Sequence, residues 1–216
     1  MQAEIGARTM SPSLAVGTSV PNVSFRVGRD EVSLESFKGE KNVVVAFYAA
    51  AFTGGWEREL VGFQQAIDEF EKAETVVIAS SPDMGPAQRA FAEHCGVNYL
   101  IGAGYPNHEA AKALGVFNPD RGSYKRVSFV IDKAGVIQEV IEDREDVMEH
   151  PTDALKTVQS WQWSEIRVQH IKCKKRQAKW KPAAFFASNA CLAVMHRSEH
   201  WRPRHRSQRS WSPRKS

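Results

Sequence analysis

Residues 14–160 predict a three-layer α/β domain, a central mixed sheet flanked by helices. Two observations carry this reading. Short apolar runs rich in β-branched residues alternate with amphipathic helical stretches, and a late hairpin followed by one more helix closes the pattern. The first run is Val43-Val44-Val45-Ala46-Phe47, and the second is Thr75-Val76-Val77-Ile78-Ala79. Both have the length and residue type of strands buried on both faces.

Taken in order, Val23 to Val27 alternates as an exposed strand does, and Gly28 to Asp30 reads as a turn. Ser33 is placed to cap a short helix that Gly39 closes. After the 43–47 strand, Leu60, Phe63, Ile67 and Phe70 fall on one face of a helix that starts near Trp56. The 75–79 strand turns at Ser80 to Asp83 into a helix over 86–95, ended by Gly96. A short strand is expected at 99–101 and a helix at 107–114 before Gly115. Residues 126–132 and 136–141 form a hairpin around Lys133-Ala134-Gly135. A last helix is expected over 152–160, with Ala154, Leu155 and Val158 inward.

The 216-residue chain carries a formal net charge of +4, which hides an asymmetry. Residues 1–160 hold 15 basic and 23 acidic side chains, whereas 161–216 hold 14 basic and 2 acidic ones. We therefore divide the chain into a flexible leader over 1–13, the domain over 14–160, and a basic tail over 161–216. The tail contains five of the six tryptophans and little periodicity, and it reads as disordered. Basic clusters such as 172–176 and 202–206 admit a nucleic-acid arm, the lowest-ranked reading. Cys95, Cys173 and Cys191 lack disulfide or metal-ligand spacing, which points to a reducing compartment, and the cytoplasm is the expected location. No secretory leader and no membrane-spanning run are read.

Chemistry is expected at the turn Ala49 to Gly55, between a buried strand and a helix N-terminus. Free backbone N–H groups and the helix dipole favour negative charge there. The segment 42–63 resembles the active-site segment of peroxiredoxins, which carry Pro-x-x-x-Thr-x-x-Cys at this point. Phe47, Tyr48, Ala50, Ala51, Phe52 and Thr53 match, and Glu59 falls where a glutamate follows the cysteine. The opening Ser33-Leu34-Glu35-Ser36-Phe37-Lys38-Gly39 and the late Phe129-Val130-Ile131-Asp132-Lys133 are also similar to that family. Two positions depart from it: Ala49 replaces the proline, and Trp56 stands in the place of the peroxidatic cysteine.

The resemblance implies a thioredoxin-like fold over about 14–160 and reduction of hydrogen peroxide or organic hydroperoxides. It implies a nucleophile at position 56, with Thr53 offering its hydroxyl to the peroxide. Arg126 would hold the nucleophile and polarise the substrate, and Glu59 would orient Arg126. It implies no cofactor and no metal. The partners implied are a peroxide, an external reductant (thioredoxin, glutaredoxin or a small thiol) and a second copy of the chain in a homodimer. Thr53 also suits an N-cap, and Arg126 a surface strand.

An indole has one N–H donor and no ionisable nucleophile, so Trp56 cannot make the attack. Three readings follow. The scaffold is a degenerate, non-catalytic binding protein. Alternatively Cys95 takes a role, although a buried inert thiol is the plainer account. In the third, Trp56 stands for a selenocysteine: UGG encodes Trp, UGA lies one base away, and UGA also encodes selenocysteine. A UGA stop misread as Trp161 would then explain a patternless, Trp-rich extension from the same single error.

Overall fold

A computed structural model describes residues 13–161. The expected leader and basic tail lie outside the described residues, apart from Ser13 and Trp161 at their inner ends. β1 (Ser24–Val27) and β2 (Asp30–Ser33) form the opening hairpin, with Gly28 at φ 64° in its turn. Ser33 caps a 3₁₀ turn at Leu34–Phe37 by accepting the Glu35 N–H at 3.2 Å, as its position suggested. β3 (Asn42–Phe47) is buried at every residue, as its apolar run requires.

The expected single helix after β3 is two: α1 (Trp56–Gln65) and α2 (Ile67–Lys72). The break falls at Ala66, whose N–H is shared between the Gly62 and Phe63 carbonyls at 3.3 and 3.2 Å. Both apolar ridges still reach the core, with Phe63 and Phe70 fully buried and their rings 5.9 Å apart. β4 (Thr75–Ser81) extends two residues beyond its apolar run, because Ser80 and Ser81 are buried and continue the ladder to β5 (Leu100–Ala103). Between them, α3 (Gly85–Cys95) ends at Gly96 in the left-handed region, φ 66°. α4 (Glu109–Ala113) follows, then a two-residue hairpin, β6 (Phe117–Asn118) and β7 (Ser123–Tyr124), too short for any periodicity to reveal. β8 (Val127–Ile131) and β9 (Ile137–Glu142) form the expected late hairpin. Helix α5 runs over 149–161 and starts earlier than expected, because Pro151 is tolerated in a first turn.

The seven-stranded sheet has the order β2-β1-β5-β4-β3-β8-β9. β3, β4 and β5 are parallel, while β8 and β9 add on antiparallel, so the sheet is mixed as expected. Alternate residues of β3 divide the core. Val43, Val45 and Phe47 pack with Ala110 and Ala111 of α4 and with Leu114, its C-cap. Val44 and Ala46 pack with Phe63, Phe70, Ala154 and Val158 of α1, α2 and α5, and Trp161 lies partly buried against the same cluster. Among the described residues no helix is long and apolar enough to cross a membrane.

Candidate active site

Parallel pairing sets the carboxyl ends of β3 and β4 side by side, with Phe47 opposite Ser80. The Tyr48 N–H donates to the Ser80 carbonyl at 3.0 Å and carries the ladder one residue further. The chain then leaves the sheet through residues 49–55. Two positions there have positive φ: Phe52 at 56° and Gly55 at 90°. Gly55 is the N-cap of α1 and supplies no side-chain cap, so Trp56 is the first residue of the helix. A φ of 90° suits glycine, which has no Cβ to clash. The Arg126 guanidinium passes beside it; a Cβ at Gly55 would stand 3.9 Å from Arg126 Nη2.

Helical spacing puts positions 56 and 59 on one face of α1, and Arg126, just ahead of β8, reaches both. Its Cζ lies 4.0 Å from the centroid of the Trp56 ring. Its Nε lies 3.6 Å from Glu59 Oε2, an ion-pair separation longer than a hydrogen bond. Glu59 is 1 % exposed. Behind it, fully buried His150 of α5 places Nδ1 3.8 Å from Glu59 Oε1 and 2.9 Å from Ser128 Oγ of β8.

Burial sets the charges in this cluster. It pushes the Glu59 carboxyl up to about 8, against the opposing pull of Arg126. It pushes His150 down to about 4, with help from Arg126 and Arg144. His150 is therefore neutral near pH 7, and Glu59 holds its proton over much of that range. Glu59 then only weakly neutralises Arg126, whose positive charge is left facing position 56. An anion at the first residue of α1 would meet the helix dipole and this guanidinium together. A cavity of about 310 Å³ adjoins Arg126, lined also by Lys125, Val127, Glu142, Asp143 and Arg144.

The structure thus gathers Trp56, Glu59 and Arg126. Arg126 lies just outside the strand that the sequence reading gave it. Thr53 is tied to its own loop: its exposed hydroxyl donates to the Ala50 carbonyl at 2.8 Å. Trp56 is only 9 % exposed and packs with Tyr48, Leu60 and Phe91. Cys95 borders the same cluster, but burial and Glu57 raise its thiol, the reverse of what a nucleophile needs. Sequence reasoning missed His150 and Ser128. His150 fell before Pro151, outside the expected helix, and the one available signal was the inward register of Ser128 in an otherwise apolar strand. Among the described residues no cluster of His, Cys, Asp and Glu could hold a metal ion.

Known proteins share this arrangement of elements. The AhpC/TSA family pattern matches residues 16–140. Alkyl hydroperoxide reductase E of Mycobacterium tuberculosis is 32% identical over 127 residues, 58% of this chain and 83% of that protein. Peroxiredoxin TSA1 of Saccharomyces cerevisiae is 29% identical over 161 residues, 72% of this chain and 79% of that one. The crystal structure of peroxidoxin BcpB from Mycobacterium tuberculosis superposes with a TM-score of 0.63 at 25% identity, covering 70% of this chain and 98% of that chain. With its mixed sheet, its helix start beside Arg126 and a family match over more than half its length, this chain belongs to the AhpC/TSA family, the peroxiredoxins.

Proposed function

We propose that this chain is the scaffold of a peroxide-reducing antioxidant enzyme whose reacting atom belongs at position 56, as a thiol or a selenol. The observation that carries the reading is the Arg126 guanidinium, 4.0 Å from the side chain of the first residue of α1. A thiolate or selenolate there attacks the terminal oxygen of a hydroperoxide. The O–O bond breaks, two electrons pass from the chalcogen to oxygen, and water or an alcohol leaves with a proton. The chalcogen is left as a sulfenic or selenenic acid. Two equivalents of an external thiol then return it to the reduced state with loss of water. Thioredoxin, glutaredoxin and a small thiol all supply that chemistry. Thr53, Glu59 and Arg126 are assigned the roles of substrate contact, orientation of the arginine and charge stabilisation. A cytoplasmic site of action and a homodimer belong to the same proposal.

With indole at position 56 the reacting atom is absent. The test has two arms. Codons 56 and 161 are read in the encoding nucleic acid, and peroxide consumption with a thiol reductant is compared between the chain and its Trp56→Cys variant. UGA at codon 56, or activity gained by the variant, supports the proposal. UGG at codon 56 together with a folded but inactive variant supports the second reading, a retired site that binds a partner. The close packing of Trp56 against Tyr48, Leu60 and Phe91 is what favours that second reading.

A further inference from the structure

We infer that Asp83 is a positioning residue for the site at position 56, acting by fixing the 49–55 loop from outside. This rests on the function proposed above. The loop that delivers residue 56 has Ala49 at its start, with none of the fixed φ a proline would bring. The Ala51 N–H, in the middle of the turn, donates to Asp83 Oδ2 at 2.7 Å. The same oxygen accepts the Ser81 hydroxyl at 2.6 Å. Gln88 Nε2 of α3 donates to Ser81 Oγ at 2.6 Å and to the Gly102 carbonyl at 3.2 Å. Gln88 Oε1 in turn accepts the hydroxyl of Tyr48, the last residue before the loop.

These bonds make a closed circuit: Tyr48 to Gln88, Gln88 to Ser81, Ser81 to Asp83, and Asp83 back to the chain at Ala51. Ser81, Gln88 and Tyr48 are buried, so the links among them are screened from water and costly to leave unmade, while Asp83 and Ala51 are half-buried at the end of the circuit that meets the loop. It ties residues 48 and 51 to the corner between β4 and α3, five residues ahead of the reacting position. Thr53 contributes only a bond to its own loop. Phe91 and His94 of α3 meet the Phe52 ring at 4.9 and 5.6 Å, and Asp83, from the corner between β4 and α3, adds a directional hydrogen bond to the backbone of the turn. The Asp83 carboxylate is also a negative charge near the site. Its charge alone would disfavour an anion at position 56, whereas its anchoring role favours one by holding the helix start beside Arg126. The two effects have opposite signs and can be told apart.

The experiment uses the full chain carrying Trp56→Cys, with Asp83→Ala or Asp83→Asn added. Three quantities are read: kcat/KM with hydrogen peroxide, the thiolate titration by ultraviolet absorbance, and hydrogen exchange over 49–56. The expected result for Asp83→Ala is a fall of about 10- to 100-fold in kcat/KM, the scale of a misplacement near 1 Å. It is accompanied by an upward shift of the thiol titration and faster exchange confined to 49–56. Asp83→Asn keeps an acceptor for the Ala51 N–H and is expected to retain most of the activity. Unchanged exchange over 49–56 in Asp83→Ala overturns the inference. A thiol titration that moves down in both variants overturns it too, because charge alone is then at work. Should Asp83→Ala not fold, Ser81→Ala, which frees the carboxylate on one side, gives the same three readouts with the same expected signs. If the Trp56→Cys parent is itself inactive, the proposed function fails, while the exchange measurement still decides whether Asp83 anchors the loop.

Discussion

Arg126 lies over the Trp56 ring, its guanidinium carbon 4.0 Å from the ring centroid. The same guanidinium lies 3.6 Å from Glu59, one helical turn further along α1. One cation thus spans the position that would carry a nucleophile and the carboxyl that would orient it. In this chain the arrangement is a cation–π contact, a favourable use of the charge but a chemically idle one.

Replacing Trp56 separates the chemistry from the packing. The chain with Trp56 is expected to show no thiol-dependent peroxide reduction, and Trp56→Cys is expected to gain it. It is also expected to lose about 2–4 kcal/mol of stability, since Trp56 is 9 % exposed and packs in the Tyr48, Leu60 and Phe91 cluster. Urea denaturation and a coupled peroxidase assay read the two effects independently. A variant as stable as the parent would show that the cluster closes over the smaller side chain.

Arg126 is expected to be irreplaceable by lysine. A planar guanidinium can face position 56 and Glu59 together, whereas an ammonium is a point charge on a flexible stem. In the Trp56→Cys background, Arg126→Lys should lower kcat/KM by about 10²-fold or more, the scale of one lost electrostatic contact to the transition state. The thiol titration should rise in parallel. Equal activity in the two proteins would show that a positive charge alone suffices at position 126.

The buried Glu59 and His150 predict a stability profile with pH. The unfolded chain releases the Glu59 proton near its ordinary value of 4.5, while the folded chain keeps it to about 8. The folded state binds the extra proton between those limits, so stability falls as pH rises through them. His150 acts oppositely. The unfolded chain protonates it below 6.5, the folded chain only near 4, so stability rises with pH across that window. The two nearly cancel between 4.5 and 6.5. What is left is a loss of about 2 kcal/mol from pH 6.5 to 8, carried by Glu59. Urea midpoints at those two pH values should show it, and Glu59→Gln should flatten it. A loss that persists unchanged in Glu59→Gln would assign it to another group.

Much of this fold is legible because its strands are of two plain kinds. β3 is buried on both faces and reads as an unbroken apolar run, and the hairpin of β8 and β9 is marked by the turn at Lys133 to Gly135. Capping is local, so Ser33 and Gly96 could be placed from their neighbours alone. The break at Ala66 was not legible, because the apolar ridge from Leu60 to Phe70 continues across it. The site divides in the same way. Glu59 follows position 56 by one turn of a single helix, and the motif carries Arg126. His150 comes from α5, Ser128 from β8 and Asp83 from the turn between β4 and α3, and only the folded sheet brings them to α1 and its entry loop. Sequence spacing holds no trace of such contacts unless a motif records them.

Gly104 is expected to be intolerant of any side chain, for a reason that involves the backbone. Its N–H donates to the Ser81 carbonyl at 2.8 Å just past the paired ends of β4 and β5. A Cβ there would overlap the Tyr124 hydroxyl and stand 2.7 Å from the Ser81 carbonyl oxygen. Tyr124 cannot easily swing away. It is 4 % exposed, its hydroxyl is 3.0 Å from His108 Nδ1, and its ring meets Phe47 edge-on at 5.7 Å. Ser81 cannot retreat without disturbing its bonds to Asp83 and Gln88. Gly104→Ala should therefore cost about 3 kcal/mol, at the upper end of overpacking penalties. Adding Tyr124→Phe removes the hydroxyl clash and leaves those with the Ser81 carbonyl oxygen and with the ring carbon Cζ, 2.8 Å away. The double variant should regain less than half of the loss in thermal or urea denaturation. Full recovery would place the whole constraint in the Tyr124 hydroxyl and none in the close approach of the two strands.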